Sequence, residues 1–153
     1  DAAAVSALIR RTMAISNVAD YPLARLQPLM DYFSPEKVLL LSDERICLVA
    51  EIVQVSEVAG QDAAQIVGTI ALEGAELCTF FVDPDYQGMG IGSRLLDAIE
   101  RIAMDAGIAA IHMDASLTGA EFYARRGYRR TGVEIEGTAG PQVGMVKQLA
   151  TAG

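Results

Sequence analysis

Apolar residues recur along this chain in two rhythms. Val5, Leu8, Ile9 and Met13 fall at helical spacing behind Asp1, a residue type suited to the N-cap. A second helical stretch covers residues 23–32, with Pro22 at its start and Pro28 inside it. Ser34-Pro35 then reads as a cap followed by a first-turn proline, opening a short helix through Leu40. Beyond it the period shortens. Residues 46–55 and 65–72 are rich in β-branched side chains and are separated by a turn-like region around Gly60 and Asp62. Gly74 closes the second of these strands, and residues 76–82 form a third. The helical rhythm returns with Ile91, Leu95, Leu96, Ile99, Ile102 and Ala103, one apolar stripe that stops near Gly107. Residues 108–114 predict another strand, 118–126 a short helix ended by Gly127, and 128–135 and 143–149 two terminal strands. The sum is an α/β chain with a mixed sheet: meandering strands, a helical crossover, then more strands.

Composition narrows the class. With 153 residues the chain predicts one domain spanning 1–153, and 52% hydrophobic with 21% charged residues excludes wholesale disorder. Lysine and arginine number 12 against 20 aspartates and glutamates, a net charge of −8 that argues against a general nucleic-acid binder. No run approaches the roughly 18 apolar residues a membrane helix needs, and no signal peptide is visible in the sequence as given. Cys47 and Cys78 make neither a zinc quartet nor a disulfide framework, which predicts buried reduced thiols, a cytoplasmic protein and no metal. The chain opens at Asp1 without a methionine, which predicts that a few native residues precede it.

The informative stretch is FFVDPDYQGMGIGSRLL, residues 80–96. A strand ends at Val82, a short loop turns, and Gln87-Gly88-Met89-Gly90-Ile91-Gly92 leads into the helix. Glycines there let a ligand approach the backbone, and the free N–H groups of a first helical turn suit a pyrophosphate. The plain alternative is a glycine-rich turn that only permits close helix–sheet packing. Gly88, Gly90 and Asp114 imitate a dinucleotide fingerprint, but the spacing is G-x-G-x-G and the four residues 83–86 separate the strand from Gln87. A Walker loop fails because no Gly-Lys-Ser/Thr follows.

The same stretch resembles motif A of the Gcn5-related N-acetyltransferase (GNAT) superfamily, Gln/Arg-x-x-Gly-x-Gly/Ala, filled here by Gln87, Gly90 and Gly92 with Gly88 as an additional glycine. A second block, SLTGAEFYARRGYRR at residues 116–130, resembles the family's motif B, and Met145 and Lys147 suit its last strand. The resemblance covers about residues 50–149 well and the first helices loosely. It departs in two places: the usual first strand is absent or truncated, and Ser116 stands where many members place asparagine. What it implies is the GNAT fold, a mixed, mostly antiparallel sheet flanked by helices, with a V-shaped split between the fourth and fifth strands. Acetyl-CoA would lie in that split as cosubstrate. The backbone of Phe80 and Val82, with Phe81 between them, would meet the pantetheine arm, and Gln87, Gly88, Met89, Gly90, Ile91, Gly92 and Ser93 would hold the pyrophosphate. Ser116 and Tyr123 complete the implied binding set.

Direct attack of an amine on a thioester has three needs. The amine must shed its proton, the oxyanion needs a donor, and the departing thiolate needs a proton. A backbone N–H near Val82 is the expected donor. Tyr123 is expected to supply the thiolate's proton, against the alternative of a core aromatic like Phe122. Glu76, six residues before Val82, is the expected base, against a solvated strand-start carboxylate. His112 reads as a hydrogen-bonded packing residue, Cys78 as core, and Asp114 and Glu51 as possible pocket carboxylates. Arg125, Arg126, Arg129 and Arg130 flank Gly127, where they suit either a phosphate or the helix end. The expected function is acetyl transfer to a primary amine of a small molecule, with a bias to cationic acceptors from the net charge. A protein or peptide acceptor and a non-catalytic CoA-binding module are the alternatives. A homodimer is expected through an exposed sheet edge formed by residues 133–149.

Overall fold

The computed structural model describes residues 1–150, with backbone only at Val133; the last three residues of the 1–153 unit lie outside the described residues. Helix α1 (Ala2–Ile15) starts where Asp1 accepts the Ala3 and Ala4 N–H groups at 3.0 and 3.2 Å. A 3-10 turn (Asn17–Ala19) leads to α2 (Leu23–Tyr32), which accommodates Pro28 on an exposed face. Helix α3 (Pro35–Glu44) is capped by Ser34 Oγ, which accepts the Lys37 N–H at 3.2 Å. It runs past the expected end at Leu40, which buries Leu41 against α1 and leaves an exposed Ser-Asp-Glu segment as its last residues.

Six strands follow: β1 (Ile46–Gln54), β2 (Ala63–Glu73), β3 (Glu76–Val82), β4 (Ala110–Ala115), β5 (Arg129–Glu136) and β6 (Pro141–Gln148). Helix α4 (Ile91–Asp105) connects β3 to β4, and α5 (Gly119–Arg125) connects β4 to β5. The sheet order is β1-β2-β3-β4-β6-β5, antiparallel everywhere except the parallel β3–β4 neighbours. One expectation needs correcting: β6 is not at the edge. It lies between β4 and β5, and the outer strand is β5, whose ladder with β6 breaks between Arg130 and Glu134 around Gly132.

Helices cover both faces. On one, the α4 stripe packs Leu96 and Ile99 onto Ile70, Leu72, Ile111 and Met145. The helix sits so close that a Cβ added at Gly68 of β2 would stand 2.8 Å from Leu95 Cδ1. On the other face α1 to α3 enclose Ile9, Met13, Phe33 and Leu41, with Phe81 of β3 against them. The thiols are less buried than composition suggests: Cys47 is exposed because β1 is an edge strand, and Cys78 is half-buried. His112 is also exposed, since strand alternation turns Ile111 and Met113 into the α4 core and His112 away from it.

A charged group lies within the α4 side. Glu100, 7% exposed, accepts the Tyr128 hydroxyl at 2.9 Å and the Lys147 ammonium at 3.0 and 3.1 Å. One carboxylate thus ties the crossover helix to the start of β5 and to β6. Removing the cation alone leaves a buried carboxylate short of its partner. Lys147→Met is expected to cost about 2–3 kcal/mol in denaturant unfolding, and Glu100→Gln added to it should recover most of that loss. Independent, additive effects of the two substitutions would show that the pair does not act as a unit.

Candidate active site

The site is built on a failure of pairing. Strands β3 and β4 share one register pair, Glu76 with His112, where the His112 N–H donates to the Ala75 carbonyl at 3.1 Å. Past that point they diverge, and a cavity of about 790 Å³ fills the wedge. The expected V-shaped split is therefore present. In this chain it separates the third and fourth strands, as the described sheet has six. Strand β3 also carries a bulge at Cys78, because Thr79 pairs with Ala71 while Leu77 pairs with the adjacent Leu72. The extra residue puts Leu77 and Phe80 on the α4 side and Phe81 toward α1 to α3, so β3 serves both halves of the cavity.

The glycine turn forms one end of the cavity. Gly88 and Gly90 hold φ of +78° and +82°, a region that favours glycine, and a Cβ at either would meet nothing within 4 Å. Close packing therefore does not explain them. At Gly92 an added Cβ would make only ordinary contact, 3.5 Å to Phe80 and 3.6 Å to Phe122. The protein itself leaves room for a methyl there, yet it places a glycine in the first turn of α4, whose N-cap Gly90 supplies no side-chain acceptor. Ile91, Gly92 and Ser93 line the cavity, so an anion can occupy what packing leaves open. Met89 is exposed and does not line it. Arg126 does, with its guanidinium bonded to Ser93 Oγ and stacked over the Phe122 ring at 5.2 Å. Arg125, Arg129 and Arg130 stay outside.

Gln87 has a mechanical part. Its Nε2 donates to the Val82 carbonyl at 3.0 Å and to Ser16 Oγ at 3.2 Å, which fastens the loop to the end of β3 and to α1. Arg11 of α1 adds Asp83 at 2.5 Å and Asp85 at 3.0 Å.

Tyr123 borders the wedge from α5 at 9% exposure, edge-on to Phe80, Phe122 and Tyr128 with centroids 5.5 to 6.0 Å away. Burial pushes its phenol well above the ordinary value of 10, so it holds its proton throughout the neutral range. Ser116 lines the cavity too, though its Oγ already accepts the Gly119 N–H at 3.0 Å and so begins α5. The structure does not bring Glu76 to this site. It is exposed at the closed end of the wedge, outside the cavity, because it opens the one pair that holds β3 to β4. Glu51 and His112 also lie outside, whereas Asp114 and Cys78 line the wall.

The residues that sequence reasoning missed come from the segment between α1 and α2 and from α2 itself. Tyr21 donates its hydroxyl to the Pro141 carbonyl at 2.7 Å and accepts the Leu117 N–H at 3.4 Å. Asp20 accepts both the N–H and the hydroxyl of Thr118, and Arg25 pairs with Glu136 at 3.1 Å. Together they strap the first helices to the far side of the wedge, with Leu26, Leu29 and Phe33 lining the space behind. Contacts of about 100 residues' separation leave no local signal to read.

The model of the acetyltransferase (GNAT) domain matches residues 47–149. A Bacillus subtilis (strain 168) protein assigned as an acetyltransferase is 36% identical over 63 residues, covering 41% of this chain. The aligned segment takes in 43% of that relative's length. Among solved structures, a GCN5-related N-acetyltransferase from Rhodopseudomonas palustris superposes with a TM-score of 0.81 at 25% identity, over 97% of this chain and 90% of that one. The PaiA N-acetyltransferase of Thermoplasma acidophilum, in complex with coenzyme A, superposes at 0.71 and 18% identity, over 97% and 92%.

Two outcomes follow from this geometry. Gly92→Ala is expected to keep or raise the thermal midpoint, as alanine favours a helix by up to about 1 kcal/mol, while weakening CoA binding at least about tenfold. A lower midpoint with unchanged CoA affinity would mark Gly92 as a packing glycine. The buried phenols set an alkaline limit. A tyrosine whose ionisation is raised in the fold contributes stability that is complete below about pH 10 and is lost as pH climbs toward the raised value. Denaturant midpoints should therefore fall above about pH 10, less steeply in Tyr123→Phe, and equal slopes would contradict the assignment.

Proposed function

The chain belongs to the GCN5-related N-acetyltransferase (GNAT) family, and from that premise we propose that it transfers the acetyl group of acetyl-CoA to a primary amine of a small molecule. One observation carries the reading: a single wedge-shaped cavity joins an uncapped helix N-terminus at one end to a buried, proton-holding phenol on its wall. Acetyl-CoA supplies an acyl carbon already activated as a thioester. The N–H groups opening α4 and the Arg126 guanidinium are the groups that would hold its phosphates. Along β3, past Glu76, the edge facing β4 has no register partner among the described residues, so its backbone is available to the amide-bearing arm.

Tyr123 fits the role of proton donor to the departing thiolate. A phenol carries its proton at neutral pH, and its position among three aromatic rings fixes its direction. The same property bars it from acting as the base toward the amine. Among the described residues lining the cavity, Asp114 is the one carboxylate, so the proton of the incoming amine is better received there than at Glu76. Outside the wedge, the exposed β5 edge is where a second copy would add its own strand. No described helix is long and apolar enough to cross a membrane.

Tyr123→Phe is expected to lower kcat by about 10² while leaving acetyl-CoA affinity nearly unchanged. Wild-type rates in the mutant at every pH would make Tyr123 a packing residue. CoA and acetyl-CoA, and not NAD, should raise the thermal midpoint; a shift with NAD alone would overturn the cofactor.

A further inference from the structure

The cavity has two chemically distinct halves. The α4–α5 half holds the glycine turn and Arg126; the half facing α1 and α2 remains for the acceptor. That second half is walled by Met13, Leu26, Leu29, Phe33 and Phe81. Its hydroxyls are largely engaged. Thr12 Oγ1 donates to the Leu8 carbonyl at 2.8 Å, Tyr21 donates to Pro141, and Ser16 accepts from Gln87. Against Leu26, Leu29, Phe33 and Phe81 a ligand body rich in hydroxyl groups would meet mostly apolar atoms, and each group left unmatched there would be desolvated without compensation.

Charge is scarcer still. The chain carries −8, yet among the described residues lining the cavity Asp114 is the one acid and Arg126 the one base. Ile111, Met113 and Ala115 point into the α4 core, so alternation along β4 turns Asp114 to the opposite face, the acceptor side. An ammonium seated against this wall needs an anionic partner, and the solvent-exposed Asp114 is the one that the wall offers. A polyamine or an amino sugar brings two or more cations, of which this wall pairs one.

Resting on the acetyl-transfer reading above, we infer that the acceptor is a monoamine, a single primary amine on an uncharged, apolar, ring-sized or branched body, with Asp114 receiving its ammonium. The body packs between α2 and β3 against Leu29, Phe33 and Phe81. The ammonium gives one proton to Asp114 and becomes a nucleophile; its nitrogen bonds the acetyl carbon as the carbon–sulfur bond breaks. The sulfur takes a proton from Tyr123, and the nitrogen's second proton restores the phenol through solvent, so one proton is released overall. The net negative charge then acts outside the cleft, where it does not select the acceptor.

The test compares 2-phenylethylamine, spermidine and kanamycin as acceptors, with CoA release followed by a thiol reagent. The expected result is a kcat/KM for 2-phenylethylamine at least about tenfold above either polycation. A second measurement, calorimetric titration of 2-phenylethylamine into the CoA-saturated protein, should show binding that Asp114→Asn weakens about tenfold or more. In turnover Asp114→Asn should lose at least about tenfold in kcat/KM at pH 7, recovering toward the amine's own pKa, with the KM for acetyl-CoA unchanged. Leu29→Asp, which adds a second acid to the apolar wall, should move the spermidine to 2-phenylethylamine ratio upward by about tenfold. Preference for spermidine or kanamycin in the wild type would overturn the monoamine inference and leave acetyl transfer standing. No amine-dependent CoA release, with CoA binding intact, would overturn both.

Discussion

The architecture turns on one short contact, the pairing of Glu76 with His112 and the bond from the His112 N–H to the Ala75 carbonyl. Without it the sheet would be two separate ribbons; with a full ladder there would be no wedge. Each strand is pulled away by a better partner. Strand β3 is paired to β2 from Glu76 to Val82, and β4 to β6 over its whole length. The inner edges they turn to one another keep backbone donors and acceptors that a folded chain rarely leaves unpaired away from water. A ligand with an extended, amide-bearing arm would satisfy them, filling the gap and completing the ladder.

The wedge could not stay open on strands alone. Arg11 bonds Asp83 and Asp85 below the glycine turn, Gln87 reaches back to Val82 and across to Ser16, and α1 is thereby fixed to the cradle it underlies. Above the opening, Asp20, Tyr21 and Arg25 fasten the first helices to Thr118, Pro141 and Glu136. Exposed pairs such as Arg25–Glu136 contribute little individually. The better-buried links, Tyr21 to Pro141 and Arg11 to Asp83, give the frame its rigidity, because breaking either leaves a nearly buried polar group without its partner.

How much of this was legible depends on the range over which each signal acts. Local signals read true. Asp1 and Ser34 cap their helices, the stripe from Ile91 to Ala103 packs on the sheet, and the glycine turn sits at the first turn of α4. Signals that need the fold did not. Sequence distance places Glu76 near the reacting centre, but the bulge at Cys78 and the pairing with His112 put it at the closed end of the wedge. Alternation makes Asp114 and Met113 equivalent until α4 decides which face is core. The order of β5 and β6 was equally hidden, since a hairpin fixes neighbours and leaves open which arm meets β4. The α1–α2 segment carried no pattern because its partners lie about 100 residues away.

The polar network behind the sheet explains how the Tyr123 phenol is held in place. Tyr123 belongs to a helix of seven residues, too short to be stable by itself. Its ring touches Tyr128 edge-on, and Tyr128 is bonded to Glu100 of α4, which in turn holds Lys147 of β6. The ammonium of Lys147 also lies 5.5 Å over the Tyr128 ring. Burial and the neighbouring Glu100 carboxylate both push the Tyr128 phenol upward, so the hydroxyl stays protonated and keeps donating. The short helix is thus oriented by side chains from the longest helix and from an inner strand, and at Gly127, where the chain turns between them, an added Cβ would stand 3.4 Å from Lys147 Cε. Positional precision at the phenol comes from the core, while the loop at the N-terminus of α4 is built from exposed glycines. Rigid support on one side of the wedge and a bare backbone on the other is the division that an acyl transfer between two bound molecules requires.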